Sequence, residues 1–230
     1  MTTISNNLQG VRGRMVTACT RASRPSHSVV LLAVSKTWGP QAVREAFAAG
    51  QTRFGENYIQ EAVAKITALQ DLPLEWHCIG PIQSNKTALV ATHFDWVHSV
   101  DRFKIAQRLN DQRPIDLPPL NVCLQVNVDG GENKSGVPPA ETLALAIQVA
   151  ALPRLCLRGL MVIPEPAADY AGQLAVCAQA KALFDEIVAA AVPGAPHFDT
   201  LSMGMTTDLE AAVAAGSTMV RVGTAIFGVR

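Results

Sequence analysis

Residues Val29-Val30-Leu31-Leu32-Ala33-Val34-Ser35-Lys36-Thr37 make a run of six apolar side chains that ends on a hydroxyl and an amine. A run without alternation, rich in β-branched and aliphatic residues, suits a parallel strand covered on both faces. Lys36 then stands at the carboxyl end of that strand, where α/β proteins gather the loops that bind ligands. Taken alone, a lysine at a strand end only marks where the chain reaches water. Its meaning depends on what the rest of the sequence brings beside it.

Upstream, Ile4, Leu8, Val11 and Met15 recur at helical spacing and predict an opening helix that ends near Arg21, an element added before the first strand. Downstream, Pro40 opens a helix that buries Ala42, Val43, Ala46 and Phe47, and Gly50 ends it. The alternation continues. Strands are predicted over 52–55, 75–79, 95–98, 120–128, 155–162, 198–201 and 218–222. Helices fall over 58–69, 84–90, 102–110, from the pair Pro138-Pro139 to 151, over 168–192, and up to Gly216. Asp101 is expected to cap the helix from 102, and Thr207 with Glu210 to form a capping box. The segment 129–136 is too polar and glycine-rich to be anything but a loop. Eight strand-helix units in 230 residues predict one (β/α)₈ TIM barrel over 1–230, an α/β fold with 1–28 as N-terminal helix and lead-in. No glycine-rich dinucleotide fingerprint follows the first strand, which argues against an open doubly wound sheet.

Nineteen basic and nineteen acidic residues cancel, so no whole-chain charge recruits nucleic acid or an anionic membrane. The first residues lack a secretory pattern, and no stretch approaches the roughly 18 apolar residues of a membrane span, so a cytoplasmic protein is expected. The five cysteines are odd in number and scattered among aliphatic residues, as reduced core residues are. His93 and His98 have no further ligand in register, so no metal is expected.

With the strands placed this way, Lys36, Glu56, Asn57, Gly80, Ser99, Asn127, Met161, Ser202 to Gly204, and Gly223-Thr224 gather at one end of the barrel. In barrels, the loops after strands seven and eight commonly hold a phosphate. Leu201-Ser202-Met203-Gly204-Met205 and Val220-Arg221-Val222-Gly223-Thr224 each offer a glycine and a hydroxyl for that purpose. Arg221 shares a strand face with Gly223 and needs an acceptor. A structural salt bridge to Glu56 is the alternative to a ligand. A lysine facing a phosphate cup suggests an amine that condenses with a phosphorylated aldehyde. The residues alone leave pyridoxal phosphate and the sugar phosphate of an aldolase both open.

Several motifs narrow this: Ala33-Val34-Ser35-Lys36-Thr37, Arg53-Phe54-Gly55-Glu56-Asn57-Tyr58, Trp76-His77-Cys78-Ile79-Gly80 with Gln83-Ser84-Asn85-Lys86, Asn133-Lys134-Ser135-Gly136, Gly159-Leu160-Met161, Leu201-Ser202-Met203-Gly204-Met205 and Gly216-Ser217-Thr218-Met219-Val220-Arg221-Val222-Gly223. In order and spacing the chain resembles the pyridoxal phosphate homeostasis protein family, which is related to the N-terminal barrel of alanine racemase. That resemblance implies a barrel of the alanine racemase N-terminal type. It also implies that Lys36 holds pyridoxal 5'-phosphate as a Schiff base, that Asn57 and Met161 line the ring, and that Arg221 faces the pyridine nitrogen. Ser202, Met203, Gly204, Gly223 and Thr224 would cup the phosphate. Two places depart from the family pattern: Pro81-Ile82 before the glutamine, and Trp38, where the family often carries a basic residue.

The implied role is intracellular homeostasis of the cofactor, which the protein would hold and pass on without turning over a substrate. A pyridoxal phosphate racemase or similar enzyme is the alternative. Alanine racemase takes a tyrosine base from a second domain, whereas this sequence ends just after its eighth strand. Its two tyrosines, Tyr58 and Tyr170, carry no mark of a base. The expected protein is a monomer whose partners are the small-molecule cofactor and apo pyridoxal phosphate enzymes, with neither nucleic acid nor membrane.

Overall fold

The computed structural model describes residues 3–131 and 135–229. Its strands are β1 (Val30–Val34), β2 (Arg53–Glu56), β3 (Glu75–Cys78), β4 (Trp96–Val100), β5 (Leu120–Val126), β6 (Leu155–Val162), β7 (Thr200–Ser202) and β8 (Met219–Val222). The helices are α1 (Thr3–Arg21), α2 (Pro40–Ala48), α3 (Ile59–Ala68), α4 (Thr87–His93), α5 (Phe103–Gln112), α6 (Pro139–Ala150), α7 (Tyr170–Ala189), α8 (Leu209–Ala215) and α9 (Thr224–Phe227). The strands run in sequence order around a closed parallel barrel, and β8 returns to β1 with Val30 opposite Met219 and Ala33 opposite Val222. This is the (β/α)₈ barrel expected from the alternation, and closure leaves no strand edge unpaired.

The apolar residues divide as such a barrel requires. The main core lies between strands and helices, and a separate cluster of Trp96, Cys123 and Met161 lies apart from it. Helix α1 buries its predicted stripe and is tied down from its middle on two sides. Arg12 donates to the carbonyls of Ala49 and Gly50 past the end of α2, and Arg14 forks onto Glu210 of α8. Between β6 and β7 the backbones come very close. A Cβ on Gly159, whose φ is +154°, would lie 1.7 Å from the Thr200 carbonyl oxygen, so only glycine fits there.

Two helix starts differ from expectation. Helix α5 begins at Phe103 with Arg102 at its N-cap and no side-chain cap, because Asp101 is engaged by Arg102 at 2.7 Å instead. No capping box forms before α8. The N-cap is Asp208, whose carboxylate accepts the Met205 N–H at 2.6 Å, and Glu210 is taken up by Arg14. Gly50 and Gly216, with φ of +79° and +107°, end α2 and α8 in the left-handed conformation, as predicted. Of the loop 129–136, residues 132–134 with Asn133 and Lys134 lie outside the described residues. No helix among the described residues is long and apolar enough to cross a membrane.

Candidate functional site

The site is built around the turn that follows β1. The Trp38 N–H donates to the Ser35 carbonyl at 3.1 Å, closing a turn with Lys36 at its second position. The third position, Thr37, has φ +67°, an uncommon conformation for a β-branched residue. Backbone in that region costs on the order of 1–3 kcal/mol and persists only where surrounding contacts hold it. Those contacts are present. Glu61 accepts the Thr37 N–H at 3.1 Å, and Lys65 donates to the Ser35 carbonyl at 2.8 Å.

Lys65 is itself buried beneath the turn and pairs with Glu56 at 2.6 Å, while the Ser35 hydroxyl donates to the same carboxylate oxygen at 2.6 Å. Burial pushes the Glu56 carboxyl above its ordinary value, and the Lys65 ammonium pulls it back part of the way. A buried ion pair therefore underlies the exposed Lys36 and fixes the residue before it.

Lys36, Asn57, Arg221, Gly223 and Thr224 line one cavity of about 450 Å³ at the carboxyl end of the barrel. Thr37, Thr206 and Thr207 add to its polar wall, and Val34, Ile79 and Met205 are among its apolar residues. Asn57 reaches this wall because β3 leaves through a glycine. A Cβ on Gly80 would lie 2.3 Å from the Asn57 carbonyl oxygen.

Arg221 is buried, and its acceptors are the Ser202 carbonyl and hydroxyl, both at 2.8 Å, and the Val162 carbonyl at 2.9 Å. The salt bridge to Glu56 considered from the sequence does not form, because Glu56 is committed to Lys65. Burial pushes the Arg221 guanidinium down to about 10, which leaves it a cation at neutral pH.

Met161, Ser202, Met203 and Gly204 do not line the cavity. Met161 is buried against Trp96 and Cys123, and Met203 belongs to the main core. Ser202 is the last residue of β7, fully buried, with its hydroxyl shared between Arg221 and His98. Gly204 has φ +94°, and a Cβ there would meet the Ala212 side chain at 2.5 Å; its carbonyl accepts the Arg221 N–H. Of the four, Ser202 and Gly204 anchor Arg221 by hydrogen bonds. Thr206 and Thr207 were missed as site residues from the sequence, although two hydroxyls just after Met205 are a legible sign of an oxyanion loop.

Behind Arg221, His77 and His98 are fully buried. Burial holds both imidazoles below their ordinary value of 6.5, His98 well below it, with the Arg221 charge adding to the effect there. As pH falls, the unfolded chain therefore takes up protons before the folded one does. Stability is present above that ordinary value and declines below it, by about 1.4 kcal/mol per histidine for each pH unit, until the folded value is reached. We expect a lower urea midpoint at about pH 5.5 than at about pH 7.5; equal midpoints would contradict two neutral buried histidines.

The cavity suits a small phosphorylated carbonyl compound in size and chemistry. Its volume falls within the range of about 300–1,000 Å³ usual for small-molecule sites. Its polar groups include an exposed primary amine, a buried guanidinium, an amide and four threonine hydroxyls. Tyr58 and Tyr170 are exposed and lie outside its lining.

A family model described as alanine racemase, N-terminal domain, matches residues 7–230. The pyridoxal phosphate homeostasis protein of Escherichia coli is 54% identical to this chain, over 100% of it and 98% of that protein. Its counterpart in Pseudomonas aeruginosa is 56% identical over 100% of this chain and 97% of that protein. Among solved structures, PipY of Synechococcus elongatus with PLP bound superimposes with a TM-score of 0.84 at 40% identity, covering 98% of this chain and 100% of that one.

Proposed function

Since this chain belongs to the pyridoxal phosphate homeostasis protein family, on the alanine racemase N-terminal barrel, we propose that it binds pyridoxal 5'-phosphate at the carboxyl end of the barrel and serves the homeostasis of that cofactor in the cytoplasm. One observation carries this reading: Lys36, Asn57, Arg221, Gly223 and Thr224, drawn from three separate loops and a strand, line a single cavity of fitting size.

In this reading Lys36 would hold pyridoxal 5'-phosphate through its amine, as a Schiff base. Thr224 and Gly223, joined by Thr206 and Thr207 of the same cavity lining, would hold the phosphate. Asn57 lies along the ring. Arg221 would face the pyridine nitrogen, with Met161, Ser202, Met203 and Gly204 supporting that wall. The Glu56–Lys65 pair and Glu61 keep the Lys36 turn in its strained conformation, so the amine is presented without reorganisation.

When bound, the cofactor supplies an electron sink for chemistry at an amino acid α-carbon, and that chemistry is strongest with the ring nitrogen protonated. A guanidinium beside that nitrogen opposes the protonation. Catalysis of racemisation also needs a base on each face of the ring, and a positioned acid or base typically contributes about 10² to 10⁴-fold. Lys36 supplies one. Neither tyrosine lines the cavity to supply the other. In this reading the protein holds the cofactor, passes it on to apo-enzymes and sustains no amino acid turnover.

The test is deuterium exchange at the α-carbon of alanine and serine, followed by NMR with the loaded protein. In parallel, an apo pyridoxal phosphate enzyme is added and its recovery of activity measured. We expect no sustained exchange and full recovery. Sustained exchange that disappears in Lys36→Ala would establish an enzyme in place of a carrier.

A further inference from the structure

A chain of side-chain contacts runs through the barrel from Arg221 toward its opposite end. Arg221 Nη1 lies 2.8 Å from Ser202 Oγ, and Ser202 Oγ lies 2.9 Å from His98 Nδ1. His98 Nε2 lies 2.9 Å from His77 Nδ1, and His77 Nε2 lies 2.9 Å from Glu75 Oε1. Each is a full hydrogen bond by distance. The five residues come from β8, β7, β4 and β3, so barrel closure assembles the chain and no single strand-helix unit contains it.

The two ends fix its polarity. A guanidinium can only donate and an ionised carboxylate can only accept. Ser202 Oγ accepts from Arg221, which leaves its own proton for His98 Nδ1. His98 then carries its proton on Nε2 and donates it to His77 Nδ1. His77 carries its proton on Nε2 and donates it to Glu75. With both imidazoles neutral, the reverse order would set the bare Nε2 lone pair of His77 against the Glu75 carboxylate and leave the Ser202 proton without its partner. One arrangement satisfies every atom of the chain, and it points from cation to anion throughout.

The surroundings hold the rings in place and keep the middle dry. Trp96 stacks on His77 with centroids 5.3 Å apart and planes 14° from parallel, and Trp96 is in turn covered by Arg158, 4.7 Å from its ring. His77, His98, Ser202 and Arg221 are all buried. The Glu75 end meets solvent, with a side chain 36% exposed and Arg53 at 2.9 Å from the same carboxylate oxygen. Glu75, Arg53, Trp96 and Arg158 line a cleft at that end, which is formed by the strand beginnings and so faces away from the Lys36 cavity.

We propose that Glu75, His77, His98 and Ser202 are positioning residues that form a relay of one polarity, which orients Arg221 at the cofactor cavity and couples the cleft at the amino-terminal face of the barrel to it. The coupling is reciprocal: a change in hydrogen bonding at the Arg221 end repolarises the histidines, and a change of charge at Glu75 reaches Arg221. The step from Arg221 to the cofactor ring rests on the proposed function above. The relay itself does not.

Imidazole nitrogen NMR on the ¹⁵N-labelled full chain separates the two. In cofactor-free protein at neutral pH, both histidines are expected neutral with the proton on Nε2. Glu75→Gln, at the half-exposed end, is expected to shift the nitrogen resonances of His98, a ring it does not touch. A proton on His98 Nδ1, or His98 resonances unmoved by Glu75→Gln, would overturn the relay. Adding pyridoxal 5'-phosphate to wild type is expected to shift His98 and then, more weakly, His77. If absorbance shows the cofactor bound and neither histidine moves, the coupling to the cavity is refuted. If no cofactor is taken up, the reading of the cavity fails, while the tautomer result still decides the relay.

Discussion

Lys65→Met is expected to lose about 3–5 kcal/mol of folding stability, the usual consequence of removing one partner of a buried ion pair. The cause is not the loss of attraction alone. Glu56 would remain buried with only the Ser35 hydroxyl beside it, and its second oxygen already has no hydrogen-bond partner among the described residues. The Ser35 carbonyl would also lose its donor, releasing the turn that carries Lys36. Adding Glu56→Gln to Lys65→Met removes the stranded charge and should recover a large part of the loss. Urea unfolding of the two single variants and the double variant measures this coupling directly. A Lys65→Met variant within about 1 kcal/mol of wild type would mean the pair is solvated and does not support the turn.

The second large effect concerns retention of the cofactor. Lys36→Ala is expected to abolish covalent attachment while leaving measurable binding, because the contacts proposed for the phosphate in the Gly223-Thr224 and Thr206-Thr207 loops would remain. Charge-assisted hydrogen bonds to a phosphate contribute about 1.5–3 kcal/mol each, so Lys36→Ala alone should still bind in equilibrium dialysis, at least tenfold more weakly than wild type. Combining it with Thr224→Val should remove a further factor of about ten or more. Wild-type affinity in the double variant would move the phosphate to another part of the barrel.

Much of this was legible in the sequence, and each exception has its own physical cause. Strand β6 and the end of α1 fall where periodicity put them, because long apolar patterns define their own limits. Strand β7 has only three residues, Thr200–Ser202, against a predicted 198–201. That small error put Ser202 in a loop, with a hydroxyl free to bind, when it is the end of a strand with its side chain turned inward. In a strand, a shift of one residue changes the face of every side chain.

Lys65 shows a signal that was present and unread. With Ile59 and Ala62 it lies on the buried stripe of α3, and a lysine there requires a buried partner. His98 could not have been matched to His77 at all. Their contact depends on the register of β3 against β4, in which His77 stands opposite Trp96, and register is a property of the closed barrel.

Lys36 is proposed as the residue that holds the cofactor. Borohydride reduction of the protein loaded with pyridoxal 5'-phosphate, followed by peptide mass mapping, tests it most directly, because reduction makes the bond permanent and mapping identifies the nitrogen. The account predicts a single modified peptide containing Lys36 and none from the Lys36→Ala protein. A modified peptide without Lys36, or equal labelling of the Lys36→Ala protein, would contradict it.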